Sequence, residues 1–219
     1  MKETRMFLIS PPTHTRNNRN AIRAEALPHW YALRTTYGRE RKAYDYLTAK
    51  GVKAYYPTKN VVKLEKGKRK IVKQSRLPNI FFAYGTEEEL KAFVYDNVNL
   101  PFLRFYYRHF HSSAREIKRM PMIVPDRQMH SLMIICKAED NDVIFATEEI
   151  RKFRKGQLVR IKEGKFAGVT GRVTRFKGQQ RVGIYIEGLL TVATAYVPNI
   201  FLEPIAETAE DAAPQQNDQ

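Results

Sequence analysis

A single cysteine in 219 residues excludes an internal disulfide, and Cys136, set behind Met133, Ile134 and Ile135, reads as a buried small hydrophobe. No apolar run approaches the roughly 18 residues that a membrane span requires. Residues 1–20 carry Pro11, Pro12 and polar side chains where a signal peptide would place its apolar centre, so a cytosolic, cytoplasmic protein is expected. Carboxylates are in short supply: 23 Asp and Glu face 38 Lys and Arg, a net charge of +15. That excess, with an isoelectric point near 9.9, points to a polyanionic partner, a nucleic acid or an acidic protein assembly, with a membrane surface as the bland alternative. Neither G-x-x-x-x-G-K-[ST] nor G-x-G-x-x-G occurs, so nucleotide hydrolysis is not expected. His109 and His111 can share one strand face, yet no cysteine or acidic residue nearby completes a metal set. Asp140 and Asp142 lack a base or nucleophile beside them, and the expectation is no enzyme, no cofactor and no metal.

Glycine is sparse until the last third, where seven of the eleven lie between Gly156 and Gly188. There Val159 and Ile161 alternate with Arg160 and Lys162 in the period of a half-buried strand, and Gly164 offers a turn without Cβ strain. Phe166 is placed to fill a small core, while Gly168 and Gly171 bracket a short turn before Arg172-Val173-Thr174 resumes a strand. The segment reads as a tight hairpin of a miniature β-barrel. It resembles a KOW motif, although glycine-punctuated strands occur in many SH3-like barrels.

Upstream, residues 1–28 form a leader with little to bury. His29 to Leu33 suits a central strand, and Ala43, Tyr46 and Leu47 then repeat at helical spacing between Gly38 and Lys50, with Gly51 as the cap. Residues 52–62 continue as strand and Ile71-Val72 pairs back across a charged tip marked by Gly67. Pro78 to Ala83 is the next strand, and Thr86-Glu87-Glu88-Glu89 is a capping box that opens a second helix with Leu90, Phe93 and Val94 on one face. Leu100 to Tyr107 gives a last strand. Pro125-Asp126 opens a third helix whose Met129, Leu132, Met133 and Cys136 form a core stripe.

This order, with the W-Y opening, the G-R-E-R-K helix start, the G-K-R-K hairpin leading to L-P-N-I-F-F-A, the M-P-M-I-V-P approach and the glycine-rich motif, resembles the NusG-type transcription elongation and antitermination factors. Within that family the hairpin segment looks most like the RfaH branch and the UpxY-like antiterminators of capsular polysaccharide operons. The resemblance implies an α+β fold: an NGN-type α/β sandwich with an antiparallel sheet over residues 29–146, a linker at 147–156, an SH3-like KOW barrel at 157–206, and a disordered tail at 207–219. It further implies that the NGN domain rides on the RNA polymerase clamp and suppresses pausing or termination. Trp30, Tyr31, Leu33, Ile80 and Phe82 become the polymerase-docking candidates, each open between contact and core because strand alternation sends about half of them inward. Lys66, Lys68, Arg69 and Lys70 at the hairpin tip, and Arg39, Arg41 and Lys42 at the first helix start, are candidates for non-template DNA, nascent RNA or an acidic surface. The tip lysines are equally those of a solvated hairpin. Gly164, Phe166, Gly168 and Gly171 carry the KOW motif, whose domain would recruit a ribosomal protein or another factor. A housekeeping elongation factor and a translation-related KOW RNA-binding protein are the rival readings.

Overall fold

The computed structural model describes residues 27–113, 116–138, 142–146 and 156–207. Apart from their edges, the leader, linker and tail expected from the sequence lie outside the described residues, as does Asp140. The described fold is α+β, with three α-helices and strand pairings that are antiparallel throughout.

The aromatic run near the start becomes β1 (His29–Thr35), the centre of the first sheet. One edge of β1 pairs along its length with β5 (Ile80–Gly85), which in turn carries the short β2 (Lys53–Tyr55). The other edge is shared by β9 (Ile123–Val124) and β6 (Leu103–Phe105). Between them the ladder is carried by Tyr106 N–H donating to the Ala32 carbonyl at 2.9 Å and Ala32 N–H donating to the Met122 carbonyl at 3.1 Å.

Pleating then sorts the side chains. Tyr31, Leu33, Phe81 and Ala83 project to one face, where they pack with Ala43 and Leu47 of α1 (Glu40–Ala49) and Leu90 and Val94 of α2 (Glu87–Val94). The capping box of α2 forms as expected: Thr86 accepts from Glu89 N–H at 3.2 Å and Glu89 returns the bond to Thr86 N–H at 2.8 Å. Trp30, Ala32 and Phe82 project to the opposite face, onto Met129, Leu132, Ile135 and Cys136 of α3 (Asp126–Lys137). Cys136 is the buried small hydrophobe that its neighbours implied, and burial pushes its thiol above the ordinary range.

A second sheet of six strands runs β10 (Ile144–Ala146), β14 (Leu190–Ala193), β13 (Gln179–Ile186), β12 (Thr170–Phe176), β11 (Leu158–Ile161) and β15 (Leu202–Pro204). Val159, Ile161, Phe166, Val169, Val182, Ile184 and Val192 fill its interior and merge with the α3 side of the first sheet into one apolar cluster. The seam also carries polar contacts. Ser131, fully buried on α3, accepts from Thr170 N–H at 2.9 Å and donates to the Thr170 carbonyl at 3.2 Å. Arg108 pairs with Glu187 across the same seam.

Two ribbons stand apart from both sheets. The expected hairpin is β3 (Thr58–Glu65) with β4 (Lys68–Ser75), in register Val62 to Ile71. Its two-residue turn places Lys66 and Gly67 at φ 51° and 77°, the left-handed pair that a tight hairpin needs. The other, β7 (Tyr107–Ser113) with β8 (Glu116–Pro121), corrects the expectation of a single last strand over 100–107. No glycine, proline or asparagine marks its tip in the sequence, so turn chemistry did not announce it.

Candidate functional site

The five docking candidates divide by parity. Tyr31 and Leu33 are 3% and 0% exposed, against α1 and α2, and thus serve the helix-side core. Trp30, Ile80 and Phe82 share the other face with Arg34, as the register pairs Trp30 with Tyr84, Ala32 with Phe82 and Arg34 with Ile80 show. Trp30 and Phe82 are 5% and 0% exposed beneath α3 and the second sheet, whereas Ile80 is half-buried at the rim. The edge of this face is cationic and aromatic: the Lys53 ammonium lies 4.8 Å from the Tyr84 ring and 5.4 Å from the Trp30 ring.

The basic candidates are on the surface. Arg39 caps α1 without a side-chain bond and lies 5.1 Å over the Phe102 ring, with Lys42 5.8 Å from the same ring. Arg41 pairs with Asp45 at 3.6 Å, an exposed contact one turn along the helix. Glu40, buried in the first turn, supplies the negative charge that a helix N-terminus favours, and Arg39, Arg41 and Lys42 around it are exposed.

On the β3–β4 ribbon seven cations face one carboxylate, Glu65, which pairs with Lys70 at 3.1 Å. Register separates the faces. Lys59, Val61, Lys63 and Glu65 line one, opposite Gln74, Val72, Lys70 and Lys68; Val62 and Leu64 line the other, opposite Ile71 and Arg69. Val62, Leu64 and Ile71 are 64%, 76% and 71% exposed, an apolar strip flanked by charge. Sequence reading singled out the tip charges and missed this strip, which only the alternation between paired strands reveals.

In the motif of the second sheet, Phe166 is buried, and Gly164 and Gly168 take left-handed φ of 83° and 89°. Gly171 corrects the expectation of a turn. It lies inside β12 opposite Val159, and a Cβ there would come within 2.4 Å of the Gly183 carbonyl oxygen, so its role is close approach of two backbones. Among the described residues no group of three or more His, Cys, Asp or Glu is arranged to hold a metal, and no helix is long and apolar enough to cross a membrane. The second sheet also takes in Ile144–Ala146, a segment that the sequence grouped with the first domain: β10 pairs with β14, and Asp142 just before it meets the buried Arg181 at 2.9 Å.

No curated protein matches the chain. A solved structure described as "Domain interaction in Thermotoga maritima NusG" is similar at 20% identity, covering 82% of this chain and 98% of that one with a TM-score of 0.39. The segment that holds β1 to β9, α1, α2 and most of α3, residues 28–133, matches the NusG family, described as "Transcription termination factor nusG".

Proposed function

We propose that this protein is an operon-specific transcription antitermination and elongation factor that binds RNA polymerase through its first sheet and suppresses pausing or premature termination, in a capsular polysaccharide operon. The observation that carries the reading is the NusG family match over residues 28–133, which spans the entire first sheet and both basic candidate surfaces. Trp30, Ile80 and Phe82 form the polymerase face. Ile80 is the half-buried, reachable member at the rim, and Trp30 and Phe82, covered by α3, support that face from beneath. Arg39, Arg41, Lys42 and the ribbon cations meet nearby nucleic acid or an acidic polymerase surface by screened Coulomb attraction. The second sheet is a KOW domain that recruits a further factor, and no step needs a catalytic group.

A purified transcription assay on the protein's own operon leader tests this. The expected result is more full-length transcript past pause and termination sites, together with co-purification of polymerase. Tight binding to ribosomal RNA, with neither polymerase association nor altered termination, would transfer the protein to the translation-related class. Read-through that is equal on unrelated templates would make it a general elongation factor.

A further inference from the structure

Between the β6–β7 segment and the turn from β13 to β14 lies a cleft of about 800 Å³, within the ~300–1,000 Å³ range of small-molecule sites. Arg34, Arg104, Arg108 and Arg119 line it together with Tyr107 and Tyr185, and its one carboxylate, Glu187, is engaged by Arg108. Arg34 and Arg104 stand directly opposite each other on β1 and β6, both exposed, and neither has a carboxylate partner among the described residues. Like charges in that register repel, so an anion seated between them is favoured. One Arg104 nitrogen donates to the Leu103 carbonyl at 2.6 Å, which holds the guanidinium at the mouth.

The aromatic wall is equally defined. The Arg119 guanidinium lies 4.9 Å from the Tyr107 ring centroid, and that ring meets Phe105 edge-on at 6.3 Å. The Tyr107 hydroxyl is hydrogen-bonded to that of Tyr95, which fixes the ring's far end. Tyr185 is half-buried on the opposite wall.

We propose that this cleft binds an unpaired nucleic-acid strand, with a phosphate between Arg34 and Arg104 and a base stacked on the tyrosines. A duplex offers its phosphates but keeps its bases stacked inside, and an acidic peptide offers no ring; an unpaired strand uses both the cations and the aromatic faces. The site is separate from the α1 start and the β3–β4 ribbon, and it rests on the proposed function only in taking nucleic acid as a partner.

Fluorescence anisotropy with the full-length protein, without polymerase, tests the proposal. The probes are a labelled mixed-sequence 12-mer as single-stranded DNA, the same as RNA, and the corresponding duplex. The combined change Arg34→Glu and Arg104→Glu is expected to weaken single-strand binding at least tenfold more than duplex binding. Two lost phosphate contacts should also flatten the logarithmic salt dependence by about 1.4. Tyr185→Ala is expected to weaken single-strand binding about tenfold with the salt slope unchanged, as loss of stacking requires. If the glutamate pair disturbs the melting temperature, Arg34→Gln with Arg104→Gln removes the charge and keeps the polar stem. Single-strand affinity within twofold of wild type in the folded variant overturns the proposal. So do equal losses for duplex and single strand, or competition by a nucleoside monophosphate as strong as by the 12-mer. Because polymerase is absent, failure of the read-through assay leaves this result standing, and failure here leaves polymerase docking untouched.

Discussion

Phe166 is 3% exposed between Val159, Ile161 and Val169, so Phe166→Ala empties a ring-sized space in a small core. The expected cost is about 3–5 kcal/mol, a large share of what a unit of this size holds. Thermal denaturation followed on the second sheet should show a strongly lowered midpoint. An unchanged midpoint would place the ring on a binding surface instead. At Ser131 the loss is polar: Ser131→Ala leaves the Thr170 N–H without its acceptor in a buried seam, a penalty of about 1–3 kcal/mol. Faster amide exchange at Thr170 is the accompanying sign. Tyr107 supplies an alkaline limb. Burial and the bond to Tyr95 raise its phenol from the ordinary 10.0 to about 12. The unfolded chain therefore ionises there first, and the stability that this group contributes is intact below pH 10 and drains away as pH rises towards 12. Tyr107→Phe should flatten that limb in pH-dependent denaturation.

At the scale of elements, the β3–β4 ribbon separates charge from stability. Lys68, Arg69 and Lys70 are exposed and touch neither apolar cluster, so their joint reversal to Glu should leave the melting temperature almost unchanged. Association with polymerase or nucleic acid should weaken and lose part of its salt sensitivity, read from binding at two ionic strengths. The ribbon was legible in the sequence because Gly67 and a charged tip stood between alternating strands, and the capping box of α2 because its residues act within four positions of one another. The β7–β8 ribbon was not legible. Its strands lack turn residues at the tip, so no local signal marked where the chain reverses. The three residues of β10 are too few for periodicity to register, and they become a strand because β14 offers an unpaired edge.

For the whole molecule, α3 is the keystone: it packs on β1 of the first sheet and on β12 and β13 of the second, within one apolar cluster that includes Trp30, Ala32, Phe82, Val169 and Val182. Apolar packing and the Ser131–Thr170 bonds cross one seam, and the β10–β14 ladder ties residues 144–146, which precede residues 147–155 in the chain, into the second sheet. A protease site inserted within residues 147–155 should therefore yield two fragments that still co-elute in gel filtration at moderate salt. Clean separation of the halves would show the two units to be independent in solution.

The sequence by itself determined what depends on near neighbours: the central aromatic strand, three amphipathic helices, the capping box of α2, the basic hairpin, the glycine-rich motif and the excess of positive charge. It determined parity too, since residues two apart must share a strand face. Which face of β1 lies under helices and which under the second sheet was decided by tertiary packing, and so was the fate of the docking candidates. Tyr31 and Leu33 are committed to one core, and Trp30 and Phe82 are covered by another. The arginine cleft belongs to tertiary structure as well. Arg34, Arg104, Arg119 and Tyr185 are separated by up to 151 positions in the chain, and only the folding of β6, β8 and β13 around one opening brings their charges and rings together.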